Sequence, residues 1–243
     1  MRAALQRQTG SIVAETPASA SPLAGVALPQ RLAAEFLGAL LLIVGGPGAA
    51  MISAHEGGSI TLEGAAACNG LIILVLIYAL GHVSGAHFNP GVTLSFAVTR
   101  HFQLRDVGPY LLAQFAGTIA GAGLMRALFD EAVKSGVTRP AGSDAQSFVL
   151  EVVLTFLLML VIMAVATDTR AVGQAAAIAI GATVGLDVLL GGSVSGGSMN
   201  PARSLGPALV SGELSGLWIY LIAPPLGALM GAFSYQFLRG GQQ

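Results

Sequence analysis

The sequence predicts an all-α membrane protein: six transmembrane helices and two re-entrant half-helices arranged as an inverted repeat. Three observations predict it. First, 9% of residues are charged and 54% are apolar, with 33 glycines among 243 residues. Soluble domains carry roughly a quarter charged residues, whereas glycine-rich bundles of apolar helices suit a bilayer. Second, six segments approach the ~20 residues that cross a bilayer, at about 31–53, 62–81, 107–129, 147–167, 173–192 and 216–238. Third, Ser84-Gly85-Ala86-His87-Phe88-Asn89-Pro90-Gly91 returns as Ser195-Gly196-Gly197-Ser198-Met199-Asn200-Pro201-Ala202.

Each Asn-Pro is a helix start. Asn caps well, and Pro fits the first turn because its missing N–H is not needed there. The helices that follow, around 89–98 and 200–210, are too short to span. They are expected to be half-helices, which membrane depth tolerates only where they line a cavity or are buried in protein. Glu35 and Glu151 sit early in the first and fourth spans, and Gly117 and Gly121 are answered by Gly227 and Gly231. Residues 30–240 therefore read as one domain of two repeats, about 30–129 and 146–240. Three crossings separate equivalent points, so the second repeat lies upside down. Residues 1–29 hold no long apolar stretch and are expected to be a mobile tail and not a signal peptide.

Orientation follows from the positive-inside bias. Arg2, Arg7, Arg31, Arg100, Arg105, Arg170 and Arg239 fall on one side; Arg126, Lys134 and Arg139 fall on the other. Both termini are expected in the cytoplasm. A net charge of −1 gives no reason to expect nucleic acid, and the single Cys68 excludes an intrachain disulfide or a multi-cysteine metal site. No nucleophile-plus-base set, phosphate loop or cofactor motif is present, so no enzyme, metal or cofactor is expected.

The two half-helix N-termini each carry about half a positive charge and meet near the midplane. Together they repel a cation or hydronium ion. Asn89 and Asn200 are expected to cap with the side-chain oxygen and turn their NH2 groups to the lumen. Arg203, in the first turn after Asn200, is a costly charge at membrane depth and a candidate for binding polar solutes and repelling cations; the matching residue in the first copy is Val92.

At these residues the chain resembles the aquaporin (major intrinsic protein) superfamily, whose mark is a paired Asn-Pro-Ala; Gly91 stands here for the first alanine, at a cost of up to ~1 kcal/mol in a helix. Gly81-His82-Val83-Ser84-Gly85-Ala86-His87-Phe88-Asn89-Pro90, Ala166-Thr167-Asp168, Ile180-Gly181-Ala182-Thr183-Val184 and the run Ser195 to Leu209 are similar to the nodulin-like intrinsic proteins and their bacterial relatives. The resemblance implies a pore with Asn89, Pro90, Asn200 and Pro201 at its midplane. It places a four-residue constriction at Asn69, Val188, Gly197 and Arg203. Water-selective members carry Phe and His there and glycerol facilitators carry Trp and Phe; this chain has no aromatic at any of the four. Members with small residues at the constriction carry boric, silicic and arsenous acids, and many pass glycerol, urea or water. Asn69 matches neither the plant boron nor the plant silicon pattern.

The resemblance further implies that Glu35 and Glu151 accept hydrogen bonds from the re-entrant loops. His82 and His87 are expected to brace the first loop, and His55 and His101 read as loop residues. Asp187 is too deep to be left unpaired, and it is expected to bond backbone N–H groups at 192–198. The function read from all this is a passive channel for small uncharged solutes, excluding protons and ions. A water-selective channel and a proton-coupled secondary transporter are the alternatives. The resemblance implies a homotetramer in the plasma membrane, or in the inner membrane of a bacterium.

Overall fold

The computed structural model describes residues 25–167 and 175–240. The proposed tail up to residue 24 and the matched Asp168 lie outside the described residues, as do Arg2, Arg7 and Arg170. Nine α-helices and a 3₁₀ segment are described, in the order α1 (Leu28–Gly45), α2 (Pro47–His55), α3 (Leu62–Ser84), α4 (Pro90–Val98), α5 (Leu104–Phe129), the 3₁₀ segment Asp130–Gly136, α6 (Asp144–Thr167), α7 (Ala176–Gly191), α8 (Pro201–Ser211) and α9 (Leu217–Arg239). No strand occurs among the described residues.

Five helical stretches are long and apolar enough to cross a membrane, and α7 is a shorter apolar helix that begins beside the undescribed segment. The first predicted span is broken. Gly46 takes φ −91 and ψ −92 between α1 and α2, and Pro47 opens α2. Proline cannot donate into the preceding turn and clashes with it, which explains the break. A methyl group at Gly46 would lie 2.6 Å from Asn69 Oδ1, so the break also seats Asn69.

Small residues bring the helices together. Gly117 and Gly121 of α5 press on the carbonyls of Phe36 and Leu40 in α1. Gly227 and Gly231 of α9 press in the same way on Val152 and Phe156 in α6. Between α3 and α7 the approach is mutual: a Cβ at Gly70 would lie 2.7 Å from Gly181 O, and one at Gly181 would lie 2.7 Å from Gly70 O. Lipid gives no hydrophobic drive between helices, so close backbone contact of this kind supplies the association. The outward faces carry exposed Leu71, Leu112, Val149, Ile178 and Phe233, as a lipid-facing bundle should.

The short helices α4 and α8 sit inside the bundle. α4 buries Pro90, Gly91, Val92, Thr93, Ser95, Phe96 and Ala97. Gly206 of α8 packs on the Thr118 carbonyl of α5.

Gly117→Leu is expected to abolish a monodisperse detergent-solubilised peak, because the added bulk meets backbone and not a movable side chain. Gly123 of the same helix has open space around its Cβ position. Gly123→Leu should elute and melt like the parent, within about 0.5 kcal/mol.

Candidate functional site

The two Asn-Pro loops have unusual backbone. Gly85, Ala86 and Phe88 take positive φ in the first loop, and Gly196, Gly197 and Met199 do so at the matching places in the second. For Phe88 (φ 49) and Met199 (φ 53) this is the left-handed region, which costs a non-glycine residue about 1 kcal/mol or more. Two buried carboxylates hold that conformation. Glu35 of α1 accepts from His87 N (3.0 Å) and Phe88 N (2.8 Å), from Ser84 Oγ (2.7 Å) and from Gln114 Nε2 (2.8 Å). Glu151 of α6 accepts from Ser198 N (2.8 Å), Met199 N (2.8 Å) and Ser195 Oγ (2.7 Å). Both glutamates are fully buried, so the scaffold role expected for them has a direct geometric basis.

These amides fix the acceptors as well. No cis peptide bond occurs among the described residues, and in a trans peptide N–H and C=O point opposite ways. If the amides of His87 and Phe88 face Glu35, the carbonyls of Ala86 and His87 face away from it. The same holds for Gly197 and Ser198 in the second loop. All four residues line a cavity of ≈ 640 Å³ that runs from His101 and Phe102 at one end to Asn69, Gly197 and Arg203 at the other. A file of carbonyl oxygens therefore runs along the wall.

At the centre the two half-helices meet. Asn89 Oδ1 caps Gly91 N (2.9 Å), and Asn200 Oδ1 caps Ala202 N (3.0 Å) and Arg203 N (3.2 Å). The amide nitrogens cross over: Asn89 Nδ2 donates to Met199 O and Asn200 Nδ2 donates to Phe88 O, both at 2.8 Å. Each NH2 thus gives one hydrogen to the opposite loop and keeps one for the lumen. The sequence reading turned these NH2 groups to the lumen, and both asparagines line the cavity; the bond of each to the opposite loop is an addition to that reading.

Gly91 is not required by space. A methyl there would sit 3.3 Å from Asn89 Oδ1 and 3.6 Å from Ala228 Cβ, a slightly tight fit. His87 Nδ1 lies 3.1 Å from Thr93 Oγ1. Thr93 gives its hydroxyl hydrogen to Asn89 O, so His87 Nδ1 donates and its Nε2 is left as an acceptor. His82 is exposed on the last turn of α3, and no hydrogen bond joins it to the loop among the described residues, so the expected brace is not made.

At the other end Arg203 Nη1 donates to Gly136 O (2.9 Å). Thr138, just past that carbonyl, donates to Ser204 Oγ (2.8 Å), and Ser204 in turn pairs with Ser198 Oγ. Asn69 gives its Nδ2 to Ala65 O one turn back (2.8 Å), which leaves Oδ1 as an acceptor.

Val188 is 6% exposed and does not line the cavity. It stands behind Gly197, whose Cβ position would lie 3.2 Å from Val188 Cα. Gly197 (φ +54) is therefore needed for close approach to α7, and a larger residue there would push the loop off the helix before it filled the lumen. Of the four expected constriction residues, Asn69, Gly197 and Arg203 come together on the wall and Val188 does not.

Asp187 is the second departure. Both carboxylate oxygens are buried with no hydrogen-bond partner. The reason lies in the loop it was expected to hold. Val194, Ser195 and Gly196 give their N–H groups to Gly191 O, and Gly197 N goes to Ser195 Oγ. Ser198 and Met199 are taken by Glu151, and Asn200 N bonds Ser198 Oγ. None of these N–H groups is available to Asp187. Stepping back by the interval from Asn200 to Asn89, Asp187 falls on Leu76, a buried apolar residue of α3.

Sequence reasoning missed a matched pair of tyrosines. Tyr110 Oη donates to Ser84 O (2.8 Å) and Tyr220 Oη to Ser195 O, so each binds the carbonyl of the serine whose hydroxyl bonds the glutamate. Their equal placement before Gly117 and Gly227 was a visible signal. Gln114 bridges Glu35 and Thr93, and nothing in the second half pairs with it, so no repeat could mark it.

Comparison with known proteins gives the family. Residues 23–235 match the model of the family described as Major intrinsic protein. The chain belongs to the major intrinsic protein family. It is 49% identical over 211 residues to aquaporin NIP1-1 of Oryza sativa subsp. japonica, covering 86% of this chain and 74% of that one. It is 48% identical over 227 residues to nodulin-26 of Glycine max, covering 93% and 83%. The X-ray structure of the aquaglyceroporin from Plasmodium falciparum superposes with a TM-score of 0.74 at 23% identity over 86% of this chain and 96% of that chain, a likeness of fold. This family member is an integral membrane channel for small neutral solutes and not an enzyme.

Asp187→Leu is expected to stabilise the channel by about 1–3 kcal/mol, since an unsatisfied buried polar group is removed and the first repeat already carries leucine there. A rise in melting temperature in detergent, with solute flux unchanged, is the expected result.

Proposed function

We propose that the pore conducts small uncharged hydroxylated solutes, namely boric, arsenous and silicic acids and glycerol, together with urea and water, and that it excludes protons and ions. One observation carries this reading: at the Arg203 end, donors from Arg203 and an acceptor on Asn69 face a lumen wall that holds no aromatic side chain. A planar or tetrahedral hydroxide both donates and accepts, so it can exchange its hydration for these groups and then for the carbonyl file. The names of the relatives, aquaporin NIP1-1 and nodulin-26, support the same branch of the family.

Ion exclusion rests on the two N-caps. Half-helix N-termini and Arg203 put positive potential where a cation would lose its water. The free hydrogens of Asn89 and Asn200 force a passing water to accept there, which interrupts a proton wire. The remaining features are read from the sequence: a homotetramer with one pore per subunit, in the plasma membrane, or the inner membrane of a bacterium, with both termini cytoplasmic. A saturable, proton-driven uptake would instead mark a secondary transporter.

Stopped-flow proteoliposome assays with water, urea, glycerol, boric acid and arsenous acid test the reading. Wild type is expected to pass at least one of the larger solutes well above empty liposomes, linearly with concentration and without a proton gradient. Asn69→Trp should cut those solutes by about tenfold relative to water, because Gly46 leaves no room for bulk on its side of Asn69. Arg203→Ala should admit protons, measured with a trapped pH dye under a potassium diffusion potential. Flux of water alone through wild type overturns the solute assignment.

A further inference from the structure

Aromatic side chains are absent from the Arg203 end of the cavity but gather at the opposite end. His87, Phe96, His101 and Phe102 all line it there. Their rings form one cluster: His87 lies 5.0 Å from Phe96 and 4.9 Å from Phe102, and Phe96 lies 6.3 Å from His101, between centroids. The chain folds back to make it. After α4, Arg100 takes φ 65, and the N–H groups of His101 (2.8 Å) and Phe102 (3.1 Å) both return to Phe96 O. The facing wall is aliphatic or small, with Ile77, Gly81, Ala166 and Ile180.

Phe102 is held from behind. Its ring packs edge-on to Tyr110 at 4.7 Å, and the Arg31 guanidinium lies over both rings, 5.5 Å from Phe102 and 5.1 Å from Tyr110. Arg31 is itself fixed by Nε–H to Tyr110 Oη (2.9 Å) and by Nη1–H to Asp106 (3.0 Å), with side-chain exposures of 13% for Arg31 and 7% for Asp106. A partly desolvated cation over an aromatic face is attracted by the negative face of the ring. A ring fixed by a cation, an edge contact and two backbone bonds yields little to a passing solute. The second repeat offers no counterpart: by the Asn89-to-Asn200 interval, His87, Phe96 and Phe102 fall on Ser198, Pro207 and Glu213.

We propose that this aromatic collar is the size filter of the pore, with Phe102 setting the cut-off for neutral solutes and Arg31 acting as the residue that positions it. The proposal deepens the channel reading above and rests on it. Hydrogen-bond selection and steric selection are then divided between the two ends: Asn69 and Arg203 recognise polar groups, and Phe102 measures width.

The test uses the full chain in proteoliposomes and a series of water, urea, glycerol, erythritol and xylitol. Phe102→Ala is expected to raise the erythritol-to-glycerol permeability ratio about tenfold, and Phe102→Trp to lower the glycerol-to-water ratio by a similar factor. Arg31→Lys keeps the charge but loses the forked donation; it should raise the erythritol-to-glycerol ratio by a larger factor than any change in water flux. A purely structural Arg31 would lower every flux together. If Phe102→Ala fails to insert, Phe102→Leu takes its place with a smaller expected rise. Ratios within about twofold of wild type in the Ala, Leu and Trp variants overturn the proposal. Should wild type pass water alone, the solute assignment fails separately; the collar then still requires Phe102→Ala to admit urea and glycerol, and its failure to do so overturns the collar too.

Discussion

Two glutamates buried in apolar helices accept the amides of two left-handed loops, and the rest of the pore depends on that interaction. Left alone, neither the carboxylate nor the loop would be stable at membrane depth. The carboxylate would lack partners, and Phe88 and Met199 would leave positive φ. Joined, each satisfies the other, and the geometry has one further result. Because the amides turn toward Glu35 and Glu151, the carbonyls turn toward the lumen, and the wall becomes polar without a single charged side chain along the loops. The half-helices then start where the loops end, so Asn89 and Asn200 arrive at the centre together.

The repeat is faithful where backbone is held and loose where side chains meet solute. Ser84 and Ser195, Tyr110 and Tyr220, Glu35 and Glu151 do the same work in both halves. Beyond them the halves part. Gln114 and His87 brace Thr93 in the first half. In the second, Thr138 reaches in from the segment between α5 and α6 to brace Ser204, while Gly136 anchors Arg203. That segment exists once, so the two mouths cannot be alike. One gains a fixed guanidinium and the other gains rings.

What was legible in the sequence follows the same division. The half-helices, the glutamates and the glycine pairs were readable because they occur twice, and a repeated polar residue in an apolar chain has few bland explanations. The break at Gly46 was missed because hydropathy runs through it unbroken; only Pro47 marked it. Val188 was placed on the wall by spacing, but spacing along a helix does not say which residue stands in front of a loop that presses on it. Asp187 was given partners because a deep carboxylate ought to have them. The loop's donors were already engaged, which is a matter of tertiary accounting that no local pattern shows. The aromatic collar drew no notice as a unit because its members belong to a loop, the half-helix after it and the turn beyond that half-helix.

The crossed amides of Asn89 and Asn200 have a consequence for biogenesis. Each asparagine completes its bonding on a carbonyl that belongs to the other half of the chain. A ribosome adding about 5–20 residues per second reaches Asn200 roughly ten seconds after Asn89. For that interval Phe88 O and one hydrogen of Asn89 have no partner from the chain, and in hydrocarbon they would be costly. The first half must therefore wait either with water at its loop or with α4 not yet seated. Its half-helix locks only after the second arrives, which makes assembly of the pore's centre a single event shared by both repeats.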